Sequence, residues 1–127
     1  MSQVQRRILI VDDEEDVGYA IKIVLEEYDF NVDFYSEPAR ALNEFRPNIY
    51  DAMILDIKMP KINGFELYNK LKSIDANIKT IFLTALNSVE SYNTQRIEAY
   101  PKLGERHFVT KPISNNELLE QVYTITN

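Results

Sequence analysis

Residues 51–60 read DAMILDIKMP, an apolar run from Ala52 to Leu55 that stops at the carboxylate of Asp56 shortly before the turn-prone pair Met59-Pro60. Three more apolar runs stop at polar groups in the same way: ILIV (8–11) at Asp12 and Asp13, IFL (81–83) at Thr84, and HFVT (107–110) at Lys111-Pro112. The first of them, Ile8 to Val11, is apolar at every position, as expected of a strand covered on both faces. In an open sheet of parallel strands all carboxyl ends lie along one edge, and that edge is where ligands bind. The four endings would therefore bring three carboxylates, a hydroxyl and an ammonium into one pocket.

Between these runs the apolar period changes to that of a helix. Val17, Ala20, Ile21, Val24, Leu25 and Tyr28 predict a helix from Glu15 to about Asp29 with one stripe against the sheet. Phe30 to Tyr35 reads as a second strand. Ser36 is then placed to cap a helix that turns Ala39, Leu42 and Phe45 inward and closes at Pro47-Asn48. After the opening stretch, Asn63-Gly64 reads as a sharp turn, followed by a helix presenting Leu67, Tyr68, Leu71 and Ile74. A fourth strand is expected from about Lys79 to Leu83. A helix is expected in the next segment, where Val89, Tyr92, Ile97 and Tyr100 are scattered among polar residues, and a loop over 102–106. Ser114 and Glu117 form a capping-box pattern before a last helix carrying Leu118, Leu119, Val122 and Ile125. Five strands alternating with five helices predict right-handed crossovers and an α/β fold, a doubly wound parallel five-stranded sheet.

A chain of 127 residues suits a single domain, here residues 1–127 with a core over 8–126, and can bury enough apolar surface to fold without staples. With no Cys there is no disulfide framework, thiolate metal site or thiol nucleophile. The first residues lack the apolar length of a signal peptide or membrane span, so a cytoplasmic protein without membrane association is expected. Fourteen basic against twenty acidic residues give a net charge of −6, with five acids together in DDEED (12–16). That balance argues against direct nucleic-acid binding by this domain.

Three carboxylates crowded at adjacent strand ends repel one another, and a divalent cation resolves the conflict. All-oxygen ligation favours Mg²⁺, or Mn²⁺, over zinc. Mg²⁺ commonly completes its shell with phosphate oxygens, while a lysine ammonium and a threonine hydroxyl can hold the remaining ones. The pocket thus suits a phosphoryl group, and the simplest acceptor is one of the carboxylates themselves.

On Asp12-Asp13, the DIKMP stretch with Gly64 following, Thr84-Ala85 and Lys111-Pro112, the chain resembles a response-regulator receiver domain of two-component systems over residues 8–126. The resemblance implies a CheY-like, flavodoxin-like (βα)5 fold with strand order 2-1-3-4-5. It implies that Asp56 is the phosphoacceptor, taking its phosphoryl group from a histidine kinase or phosphotransfer protein. It further implies that Asp13 ligates Mg²⁺ directly, that Asp12 does so through water, and that Asp56 and the backbone carbonyl of Lys58 add oxygens. Lys111 would pair with the phosphate, next to a cis Lys111-Pro112 bond. Thr84, with Ala85, would be drawn to the phosphoryl group, freeing space into which Phe108, the switch aromatic, turns. The implied output is the face of the fourth helix, fifth strand and last helix, directed at a downstream protein partner, an output domain or a phosphorylation-dependent homodimer.

Glu14, Glu15 and Asp16 fit the plain role of acids at the positive end of a helix and are left out of the site. His107 reads as a strand-edge residue. A haloacid-dehalogenase-like phosphatase also uses an aspartyl phosphate, but it wants a second Asp two places after the nucleophile, where this chain has Lys58. An interaction module that works without phosphorylation is the remaining alternative.

Overall fold

The computed structural model describes residues 5–85 and 107–127, and the helix and loop expected over 86–106 lie outside the described residues. Strands β1 (Arg7–Val11), β2 (Asn31–Tyr35), β3 (Ala52–Asp56), β4 (Lys79–Thr84) and β5 (His107–Thr110) form one sheet. Helices α1 (Glu15–Glu27), α2 (Pro38–Glu44), α3 (Gly64–Ile74) and α4 (Asn115–Thr126) complete the described elements. Every strand pairing is parallel and the order is β2-β1-β3-β4-β5, the topology expected of the chain.

The continuous apolar runs divide by alternation between two buried layers. Ile8, Ile10, Ile54, Ile81, Leu83 and Val109 pack with Ile21 and Leu25 of α1 and with Leu118 and Val122 of α4. Leu9, Val11, Met53, Leu55 and Phe82 face the other way, against Ala41 of α2 and Phe65, Leu67 and Leu71 of α3. A central strand with apolar residues on both faces needs this double cover, and each side chain so buried contributes roughly 1.5–3 kcal/mol. Register then aligns the strand ends. Val11 lies opposite Leu55, Asp56 opposite Leu83 and Thr84 opposite Thr110, so Asp12, the residue just past β1, comes level with Asp56, the last residue of β3.

Helix starts depart from the sequence expectation in two places. Glu37, not Ser36, is the N-cap of α2, with Pro38 as the first helical residue, where its fixed φ suits the helix and its missing N–H costs nothing. The start moves the buried position to Ala41 and leaves Ala39 exposed. Asn63 does not make a free-standing turn. It caps α3, accepting from Glu66 N at 2.9 Å while the Glu66 carboxylate accepts from Asn63 N at 3.0 Å. The box expected at Ser114 forms in one direction only, with Ser114 Oγ accepting from Glu117 N at 3.1 Å. Ala20, Tyr28 and Ile74, placed inward by period alone, are exposed near the margins of their helix stripes.

Gly64 is required by contact and not by conformation. Its N–H donates to the Ile57 carbonyl at 2.8 Å, and a Cβ here would sit 2.3 Å from the Asp56 carbonyl oxygen and 2.8 Å from Ile57 Cα. A Cβ at Gly18 would also collide, at 2.1 Å, but with the ring of half-buried Phe34 on the edge strand, which can give way. Gly64→Ala is therefore expected to destabilise the protein by roughly 1–3 kcal/mol despite alanine's better helix propensity, and by more than Gly18→Ala. Urea titrations of the two variants test this, and equal midpoints would show that the β3–α3 approach is not tight.

Candidate functional site

The site follows from the sheet edge. Asp12 continues the alternation of Ile8 and Ile10, Asp56 that of Ala52 and Ile54, and Lys111 that of Val109, so all three belong to the face covered by α1 and α4. Lys111 is drawn in by its backbone, whose N–H donates to the Thr84 carbonyl at 2.8 Å, and the Lys111-Pro112 peptide is cis. The Lys111 ammonium stands 3.1 Å from Asp12 Oδ2, 3.3 Å from Asp56 Oδ1 and 2.7 Å from Glu14 Oε1. Asp12 is fully buried and Asp56 nearly so, while Asp13 is exposed.

Burial pushes the Asp56 carboxyl up to about 7, and the neighbouring Asp12 charge pushes the same way while the Lys111 ammonium pulls against both. Burial also raises Asp12, against the hydrogen bond that its Oδ1 accepts from Glu14 N at 2.9 Å and against the charge of Lys111. For Lys111, burial disfavours the ammonium. The Glu14 hydrogen bond and the charges of Asp12 and Asp56 outweigh that and hold its proton more tightly than in an ordinary lysine.

One carboxylate oxygen each from Asp12, Asp13 and Asp56 lies within 4.8 Å of the others. Asp12 Oδ2 is buried and, although Lys111 is near, accepts no well-directed hydrogen bond. An under-bonded buried oxygen among hard oxygen donors fits a divalent cation, and these three residues could hold one. Lys58 is exposed in the loop after β3.

The remaining residues singled out from the sequence lie close by but are differently engaged. Thr84 is buried and its hydroxyl donates to the Ala85 carbonyl at 3.1 Å. Phe108 is half-buried on the opposite face, stacked on Phe82 with centroids 5.3 Å apart and tilted against Phe65 at 6.3 Å. Glu14, set aside as a helix-start acid, is the Lys111 partner that the sequence reading missed. No local pattern announces it, because its contact spans 97 positions.

A family model described as "Response regulator receiver domain" matches residues 8–123. The chain is 31% identical over 119 residues to the transcriptional regulatory protein RprY of Bacteroides fragilis, covering 94% of this chain and 48% of that protein. It is likewise 31% identical over 119 residues to CusR of Escherichia coli K12, covering 94% of this chain and 50% of that protein. The chain thus spans about half the length of the curated relatives it matches. Among solved structures, the non-phosphorylated HemR receiver domain from Leptospira biflexa superposes with a TM-score of 0.82 at 29% identity, covering 97% of this chain and 95% of that one. The response regulator TrrA of Thermotoga maritima, solved in complex with Mg²⁺-BeF, gives a TM-score of 0.76 at 28% identity, covering 95% and 99%.

The raised Asp56 carboxyl has a consequence for stability. Its folded pKa exceeds the ~3.9 of an unfolded chain, so the native state binds this proton more tightly. The group's contribution is complete below about pH 4 and is lost as pH rises through about 7. In EDTA, Asp56→Asn is expected to raise the unfolding free energy at pH 8 by on the order of 1–3 kcal/mol and to lose most of that advantage by pH 5. Denaturant titrations at the two pH values check the sign, and a variant no more stable at pH 8 would mean that Lys111 already neutralises the cluster.

Proposed function

Because this chain belongs to the response regulator receiver domain family, we propose that it is a phosphorylation-controlled switch, a single receiver domain over residues 1–127 whose only chemistry is on itself. Asp56 takes a phosphoryl group from the phosphohistidine of a sensor histidine kinase or a phosphotransfer protein. The observation that carries this reading is the convergence on one buried carboxylate, Asp56, of two further acids and an ammonium at 3.3 Å.

An Asp56 carboxylate oxygen attacks phosphorus; the O–P bond forms as the N–P bond of the donor breaks, and its electron pair stays on the imidazole nitrogen. Asp12, Asp13, Asp56 and the Lys58 carbonyl would hold Mg²⁺, or Mn²⁺. When bound, that ion supplies positive charge to offset the carboxylates and the phosphoryl oxygens. Lys111 contributes a fixed ammonium toward the same oxygens. Thr84 would exchange its bond to the Ala85 carbonyl for a phosphoryl oxygen, while Ala85 lines the same loop.

Thr84 and Phe108 sit on the neighbouring strands β4 and β5, and Phe108 already rests on the Phe82 ring. A displacement of Thr84 is proposed to be read by Phe108, whose ring lies with Phe82 and Phe65 on the sheet face away from α4. The face of the helix expected between β4 and β5, of β5 and of the last helix is the one proposed to engage a downstream partner, an output domain or a second copy of the chain. Only a difference in phosphoryl affinity between two conformations can shift their populations. The matched relatives are named as transcriptional regulatory proteins, which supports an output through a partner or a further domain, with no direct nucleic-acid contact from this acidic one. Among the described residues no helix is long and apolar enough to cross a membrane.

Incubation with Mg²⁺ and a small acyl-phosphate donor is expected to add one phosphoryl group by intact mass, an adduct abolished by EDTA and by Asp56→Asn and cleaved by alkaline hydroxylamine. A wild-type chain that takes up no phosphoryl group from either the small donor or a phosphorylated histidine kinase would replace this reading with that of a phosphorylation-independent interaction module.

A further inference from the structure

Glu14 occupies the N-cap of α1, a position that favours Ser, Thr, Asp or Asn because a short side chain can turn back onto the free N–H groups of the first turn. Its carboxylate makes no such bond. It extends to Lys111 instead, and at 2.7 Å it is the nearest of the ammonium's three acidic neighbours. It is also the most exposed: the Glu14 side chain is 60% accessible, against 0% for Asp12 and 5% for Asp56.

We infer that Glu14 is a positioning residue that competes for the Lys111 ammonium and so limits how readily Asp56 is phosphorylated. This rests on the phosphoacceptor role of Asp56. A phosphoryl group brings about two negative charges and three strong acceptors, and Lys111 must yield one of its present partners to meet them. Asp56 is itself the group that becomes phosphorylated, and releasing the fully buried Asp12 costs more than releasing an exposed carboxylate even where a cation offsets part of its charge. Releasing Glu14 returns an exposed carboxylate to water, which costs little. Glu14 is therefore the partner that leaves, and whatever its ion pair is worth is set against phosphorylation.

Reach and charge can be separated. Glu14→Gln removes the charge; Glu14→Asp keeps the charge but shortens the side chain by one methylene. Glu15→Gln removes an equal charge from an adjacent acid whose hydrogen bond is to Ser36 Oγ and not to Lys111. With the full chain, Mg²⁺ and a small acyl-phosphate donor, the initial rate and the steady-state fraction of Asp56 adduct are followed by intact mass. Glu14→Gln and Glu14→Asp are both expected to raise the rate by ~2–5-fold, the range an exposed ion pair supports, and Glu15→Gln to leave it unchanged. Glu14→Asp behaving as wild type, or Glu15→Gln matching Glu14→Gln, would overturn the inference in favour of a general effect of surface charge. A slower Glu14→Gln would overturn it too, because Glu14 would then be assisting Lys111. If the wild-type chain forms no Asp56 adduct, the phosphoacceptor reading itself falls and this inference with it, an outcome distinct from a failure confined to Glu14.

Discussion

Two carboxylates buried side by side with one ammonium between them are the constraint on which this structure depends. Asp12 and Asp56 leave water almost completely, and both carboxyls are pushed upward by that burial and, in the case of Asp56, by the other's charge. Lys111 is the opposing charge that keeps the arrangement tolerable, at 3.1 and 3.3 Å. Replacing such a buried set by well-packed apolar side chains is often neutral or even stabilising, so folding alone does not account for these charges. Under the proposed function the charges have a use: a divalent cation would add positive charge between the acids, and phosphorylation would turn one of them into an acyl phosphate.

The rest of the fold holds this cluster in place. Parallel register brings Asp12, just past β1, level with Asp56 at the end of β3, and the opposite parity of Asp12 and Val11 puts the acid on the α1–α4 face while Val11 stays with α3. The β5 end supplies Lys111 through a backbone bond to Thr84. Gly64 lets α3 begin against the Asp56 carbonyl, so the backbone carrying Asp56 is clamped from behind. Phe65, Phe82 and Phe108 form a connected set of rings on that same side, linking α3, β4 and β5.

Much of this was legible from residue order because the signals are local. Strand runs ending in Asp, Thr and Lys, helical periods between them and a parallel alternating topology need only near neighbours to be recognised, and the structure has the strands and four helices where those patterns placed them. The misreadings are also local. Ser36 reads as a cap and Asn63 as part of a turn, but Pro38 moves the first cap to Glu37 and Glu66 makes Asn63 the second, by backbone geometry and a reciprocal hydrogen bond. Ala20, Ala39, Tyr28 and Ile74 show that a period identifies a stripe without fixing how far its cover extends.

By itself the sequence determined the α/β class, the strand ends and the residue types available at the sheet edge, because alternation, helical spacing and turn chemistry are written within a few residues of each other. Only the tertiary structure decided how those residues divide their charges. It buried Asp12 and left Asp13 exposed, turned the Thr84 hydroxyl to Ala85, and gave the Glu14 carboxylate the Lys111 ammonium as its donor instead of a helix N–H. Burial and pairing of charges depend on which distant strand end arrives next to which, and that is settled when the sheet assembles, not by the neighbours along the chain.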